Sequence, residues 1–301
     1  MAIVLGENQY GKAENRLFRV YRDTERHVVR DLNVSSALRG KFVAAHDPGD
    51  QEGVVPTDTQ KNTAFAFAKE NGIDSIESFG QALGNHFIHA HPTVEGARVE
   101  IEEYEWERIP VDGAGHDHSF VRAGSGVRST VVNMDGEGDQ CKTHVVSGIK
   151  DLTILKTTGS EFHGYRKDKY TTLAETSDRI LATDLVAKWR YEHTDVDWDK
   201  SFESVKALLL QTFAQTHSYA LQQSLYRMGE VVLEQHPEIA EIRFSAPNKH
   251  HFLYDLERFD VDNPGEVFHA ADRPYGLIEA TVQRDNASEP GSAWHGVPGF
   301  C

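Results

Sequence analysis

Apolar residues alternate with polar ones through Phe18 and Val20 and again through Val28, Leu32 and Val34, on either side of RDTER (22–26). A period of two predicts a long β-hairpin over 16–34. The period then changes. TDTQ (57–60) carries the Thr-x-x-Gln spacing of a capping box, which predicts a helix start with the Thr57 hydroxyl accepting from the Gln60 amide, and Gly72 marks its end. A second helix opens at DSIE (74–77) and repeats Ile76, Phe79, Leu83 and Phe87 along one stripe. Strand-like runs follow at 97–106 and 127–134, joined by the polar VDGAGHDH (111–118).

After the glycine-rich MDGEGDQ (134–140) the order begins again. Strands are expected at 143–158 and 180–191, then a helix through Phe202, Val205, Leu208, Leu209 and Phe213 and another through Leu221, Leu225, Met228 and Val232. Strands near 239–246, 251–256 and 275–283 complete the pattern. Hairpin, helix pair and two strands therefore occur twice, which predicts an α+β chain of two domains, 1–138 and 139–301. Helices cover one face of each antiparallel sheet. The other face needs a cover, most simply another copy of the chain.

Composition narrows the partners. Hydrophobic residues at 39% and charged residues at 26% are those of a globular protein. Asp and Glu outnumber Lys and Arg 47 to 31, a formal charge of -16, so nucleic acid and anionic membrane surfaces are poor partners and an anionic ligand needs a local positive site. Cys141 and Cys301 form neither a disulfide framework nor a CxxC motif, and a terminal Cys301 reads as a bland tail or a bridge between subunits. No run approaches the roughly 18 apolar residues of a membrane span, the opening MAIVLGENQYGK has no basic leader, and VPGFC is not a targeting tripeptide. A cytoplasmic protein is expected.

Several residues are open to either a structural or a chemical reading. Thr57 and Asp58 suit a helix start, and a helix start also offers amide donors to an anion. Lys12, in YGKAE just before the first strand, is either a solvated lysine or a base whose pKa of about 10.4 would have to fall by some three units. Phe162, in a polar turn, and Arg179, heading the next strand, read as core and surface pair, or as a ring that stacks and a guanidinium that forks onto a flat anionic heterocycle. Gln222 lies one place off the apolar stripe of its helix and points to solvent or to a site. His250 and His251 in PNKHHF (247–252) are adjacent on a strand end and face opposite ways. Neither they nor HDH (116–118) has a third ligand at recognisable spacing, so no metal is expected.

Taken together, YGK (10–12), TDTQKNT (57–63), LKTTGSEFHGYRKDKYTTLAETSDRILATD (155–184), HSYALQQSLYRM (217–228), APNKHHF (246–252) and DRPYGLIEATVQR (272–284) resemble the urate oxidase, or uricase, family, in family order along nearly the whole chain. The resemblance implies tandem tunnelling-fold (T-fold) domains in a homotetramer, whose sheets close into a barrel around a tunnel with active sites at subunit interfaces. It implies oxidation of urate by dioxygen and water to 5-hydroxyisourate and hydrogen peroxide, without metal or organic cofactor. Lys12, Thr57 and His250 match the family's proton relay, and Arg179 and Gln222 match the pair that grips the purine. Phe162 matches the stacking platform and Asn248 the amide beside the oxygen or water site. Asp58 and Leu221 match positions lining the urate pocket, although the family often has valine where this chain has Leu221. Rival readings are a metal-dependent pterin or purine hydrolase on the same architecture and a non-catalytic purine-binding barrel.

Overall fold

A computed structural model describes residues 2–124, 126–136 and 140–300. Cys301 lies outside the described residues, and Cys141 is a free thiol. The chain divides into two compact units. The first comprises Met1–Gly148, Arg190–Lys200 and Ser288–Val297; the second comprises Ile149–Trp189, Ser201–Ala287 and Pro298–Cys301.

In the first unit, β1 (Tyr10–Tyr21) pairs antiparallel with β2 (Val28–Gly40) as the alternation predicts, but the strands run further than 16–34. Lys12 consequently lies within β1, opposite Ser36, rather than before the strand. The pairing slips between Lys12 and Asn15, where Glu14 takes a left-handed φ of 56°. Such a bulge lets a strand continue past a break in its alternation, so the period-two pattern shows only its regular part.

A short α1 (Val43–His46) precedes α2 (Thr57–Glu70) and α3 (Ile76–Ala90). Thr57 does not cap α2: Pro56 is the N-cap, with φ -53° and ψ 139°, and the Gln60 amide donates to the Pro56 carbonyl at 3.1 Å. The fixed proline φ shifts the helix start by one residue, leaving Thr57 inside the first turn with no capping bond from its side chain. Ser75, by contrast, caps α3, its hydroxyl accepting from the Ser78 amide at 3.1 Å.

The α3 stripe packs on β3 (Val94–Glu103) and β6 (Val127–Asp135), which pair with each other, and β3 also pairs with β2. Ile76, Phe79, Leu83 and Phe87 are fully buried with Val99, Ile101, Val132 and Met134, each large side chain contributing about 1.5–3 kcal/mol. The approach is close because a side chain at Gly84 would meet the Met134 sulfur at 2.6 Å. A buried carboxylate joins this layer. Glu77, with no exposed side-chain surface, accepts from Arg128 at 2.7 Å and from the Ser147 hydroxyl at 2.6 Å, and Arg128 also donates to Asp199 at 2.6 Å.

VDGAGHDH, expected as a loop, is the turn and part of a second hairpin of β4 (Trp106–Val111) and β5 (Ala114–Arg122). Asp112 and Gly113 both take left-handed φ, 51° and 83°, the combination that a tight Asp-Gly hairpin turn demands. HDH therefore sits on β5, with the His116 and His118 rings 4.4 Å apart. β6 then hydrogen-bonds the first part of β7 (Lys142–Lys156).

In the second unit the sheet order is β7, β8 (Leu181–Tyr191), β9 (Ile239–Leu253) and β10 (Phe268–Gln283). Helices α4 (Trp198–Gln215) and α5 (Leu221–Gln235) precede β9. The α5 stripe of Leu225, Met228 and Val232 is buried, and at Gly229 an added Cβ would lie 2.6 Å from Val282 on β10. Two separate strands were expected at 239–246 and 251–256, but β9 runs unbroken to Leu253. Irregularity falls on its partner: between Ala271, opposite His250, and Gly276, opposite Asn248, β10 leaves register for four residues. PNKHHF is thus embedded in a paired strand. Among the described residues no helix is long and apolar enough to cross a membrane.

Candidate active site

Three pieces of the second unit converge on a cavity of about 690 Å³. The first is the irregular connection between β7 and β8, pinned by bridges from Phe162 to Thr176 and from Ser160 to Ser218. The second is the start of α5, and the third is the far end of β9. Phe162, Arg179, Leu221, Gln222, Asn248 and His250 all line this cavity.

Arg179 is held by its backbone, whose amide donates to the Ser160 carbonyl at 2.8 Å. Its guanidinium carbon stands 5.3 Å from the centre of the Phe162 ring. Its Nε is buried without a hydrogen-bond partner, and burial pushes the guanidinium's pKa below its ordinary value. A buried cationic donor without a partner is costly unless something fills the site. An anion is the matching ligand.

Phe162 carries Tyr165 stacked behind it, centroids 4.9 Å apart and planes 15° from parallel, and the Tyr165 hydroxyl donates to the Leu173 carbonyl. Tyr165 thereby covers one face of Phe162, and the ring itself lines the cavity as a surface on which a flat ligand can stack. Tyr165 was not singled out from the sequence, because an irregular turn has no period to mark it. Leu221 is buried at the first position of α5, and Gln222, exposed at the second, lines the cavity beside it.

On β9, Asn248 and His250 share a face by alternation. His251 also lines the cavity, although adjacent strand residues point apart, and its Nδ1 is buried without a partner. Lys249 is engaged by Asp184. Burial is the main cause that pushes the His250 pKa below its ordinary value, and the positive charges of Arg179 and His251 add to it. The shift favours the neutral form of the imidazole.

Lys12, Thr57 and Asp58 belong to the first unit and do not line this cavity. There they lie near one another. Lys12 is half-buried opposite Ser36, whose hydroxyl donates to the Gln60 side chain of α2 at 2.8 Å. Hydrogen bonds from Lys61 and Asn62 lower the Asp58 pKa below the usual carboxylate range, with a smaller contribution from the charge of Lys12. Among the described residues no cluster of three His, Cys, Asp or Glu side chains is arranged to hold a metal.

A family model described as Uricase matches residues 8–133 and 145–279. A uricase of Arthrobacter globiformis is 54% identical over 299 residues, 99% of this chain and 96% of that one. A uricase of Dictyostelium discoideum is 38% identical over 284 residues, 93% of this chain and 98% of its own. The crystal structure of the uricase from Arthrobacter globiformis matches with a TM-score of 0.91 at 55% identity, covering 96% of this chain and 98% of that chain. A uricase from Bacillus fastidious shares the fold with a TM-score of 0.81 at 24% identity, over 93% of this chain and 94% of the other.

Proposed function

The chain belongs to the uricase family, and from that premise we propose that it oxidises urate with dioxygen and water to 5-hydroxyisourate and hydrogen peroxide, using no metal or organic cofactor. The observation that carries this reading is Arg179, a half-buried cation beside the Phe162 ring whose Nε is buried without a hydrogen-bond partner. In a protein of charge -16, that is the local positive site an anionic purine requires. Urate lies flat on Phe162. Arg179 and Gln222 hold its edge from two sides, and the Leu221 backbone closes the rim.

Dioxygen in its triplet state reacts slowly with closed-shell molecules, so the enzyme's task is to make urate electron-rich. Removing a second proton from bound urate does this. The ring then gives two electrons to dioxygen at the Asn248 side, water adds to the oxidised ring, and peroxide leaves with the protons. Lys12, Thr57 and His250 pass those protons, with the neutral imidazole as the natural acceptor.

Lys12, Thr57 and Asp58 reach this cavity from a second copy of the chain. The reading is supported by the division of the site residues between the two units and by the sheet face that helices leave uncovered. Two T-fold domains, 1–138 and 139–301, then pair around a tunnel in a homotetramer, consistent with the two blocks matched by the family model. A cytoplasmic location is part of the same proposal.

The test is to mix protein and urate in air after exhaustive chelation. Loss of the ultraviolet band, with oxygen consumed and peroxide released in equal amounts, is expected; restoration only by an added metal ion would overturn the cofactor-free reading. Co-assembling the impaired Lys12→Met and Arg179→Gln chains, assayed at a urate concentration where each alone turns over slowly, tests the shared site. Random pairing at a two-fold interface restores about a quarter of the sites. A site built within one chain would restore none.

A further inference from the structure

The residue before the stacking platform is itself held in an unusual way. Glu161 is largely buried, its side chain 12% exposed. One carboxylate oxygen accepts from His217 Nε2 at 2.9 Å and the other from His163 Nε2 at 2.7 Å. The two nitrogens meet different oxygens, which makes the group a clamp rather than a shared coordination point for a metal. The backbone repeats the link: the Glu161 amide donates to the Ser218 carbonyl at 2.8 Å, and the Ser218 amide donates to the Gly159 carbonyl at 2.9 Å.

The two segments joined here carry the two sides of the urate slot. Phe162 follows Glu161 directly, and His217 and Ser218 lead into α5, which opens with Leu221 and Gln222. In the same approach to α5, the Tyr219 amide donates to the Gln223 side chain at 2.9 Å. Glu161 itself does not line the cavity. We propose that Glu161 is a positioning residue for urate, its carboxylate tying the turn that carries Phe162 to the segment that presents Gln222, so that the distance between stacking face and amide matches the width of a purine.

The backbone bonds alone bring the segments together, whereas the side-chain clamp sets the angle at which they meet. Removing it leaves the fold and the reacting groups in place and loosens the slot. Its effect therefore falls on binding, because small misplacements of a positioning group are costly. This inference rests on the function proposed above.

The experiment compares Glu161→Ala and Glu161→Gln in the full-length protein, reading KM and kcat for urate, xanthine binding by calorimetry, and melting temperature. Glu161→Ala is expected to raise KM about tenfold with kcat within about threefold, and to weaken xanthine to the same degree. Glu161→Gln, which keeps two polar atoms for the imidazoles, should fall between alanine and wild type. Unchanged KM and xanthine affinity in Glu161→Ala would overturn the proposal, as would a loss of kcat and melting temperature at constant KM. If the alanine variant does not fold, Glu161→Gln decides alone: a KM raised a few-fold supports the clamp, and a wild-type KM refutes it. A wild type inert toward both urate and xanthine strikes the function itself, and the clamp falls with it.

Discussion

The Arg179 guanidinium carbon stands 5.3 Å from the centre of the Phe162 ring, so the positive charge and the stacking face belong to a single surface. Arg179→Gln removes the charge while keeping a hydrogen-bonding end. Truncating one partner of a desolvated, charge-assisted pair costs on the order of 2–5 kcal/mol, so KM for urate should rise at least tens of fold. Steady-state kinetics at fixed oxygen would show it, and an unchanged KM would remove Arg179 from urate binding.

The same substitution should move the pH profile. Burial first, and then the charges of Arg179 and His251, push the His250 pKa below its ordinary value. The neutral base therefore survives to lower pH than a free imidazole. Without Arg179, that pKa rises part of the way back, and the acid limb of kcat/KM shifts to higher pH. Urate's own titration is common to both enzymes and cancels in the comparison. Limbs that coincide would show that His250 does not titrate in the reaction.

Lys12→Met tests proton transfer apart from binding. Turnover should fall by about 10²–10⁴ while KM changes little, the signature of a group that acts as a proton carrier. Wild-type turnover in this variant would exclude Lys12 from the relay.

Beside Lys12, Gly11 has no room for a side chain, since an added Cβ would lie 1.8 Å from the Ser36 carbonyl oxygen. Gly11→Ala must part β1 from β2 at that point, and overpacking of this kind costs about 1–3 kcal/mol. A lower melting temperature together with reduced turnover is expected, because the displaced residue is the neighbour of Lys12. Thermal melts and rates measured on one preparation would check both.

Glu77 supplies a contrast. Glu77→Ala leaves Arg128 buried with one fewer anion, a loss of about 3–5 kcal/mol, whereas replacing Glu77 and Arg128 together by Leu and Met should recover most of it. Melting temperature should follow this order. kcat/KM well below the melting temperature should stay at wild type.

Periodicity alone carried much of the element order, because α3 and α5 each bury one regular stripe and the paired strands alternate. It failed where geometry depends on one or two residues. Pro56 moved the start of α2 and released Thr57 from capping. Asp112 and Gly113 made a hairpin from a stretch read as loop, although an Asp-Gly turn is a recognisable signal. At the cavity, residues far apart in sequence converge, and the family motifs quoted for them are what marked Phe162, Arg179, Gln222 and His250. Tyr165 and Glu161 lie within one of those motifs (155–184) but had no role assigned there. Their roles lie in contacts across an irregular turn, which neither period nor composition records. The link between Glu77 and Arg128, far apart along the chain and buried in the same layer, was invisible for the same reason.

The detour in β10 has a consequence for how this fold tolerates change. Ala271 and Gly276 are five residues apart, while their partners His250 and Asn248 are two apart. The surplus is odd, yet both ends rejoin the ladder with the same face toward the cavity side of β9. The four residues between Ala271 and Gly276 therefore work as a shim that absorbs the surplus, so that β10 keeps its pairing on either side of them. A change in length confined to these four residues leaves the pairing on both sides of them, and with it the placement of Asn248 and His250 along β9, as it is.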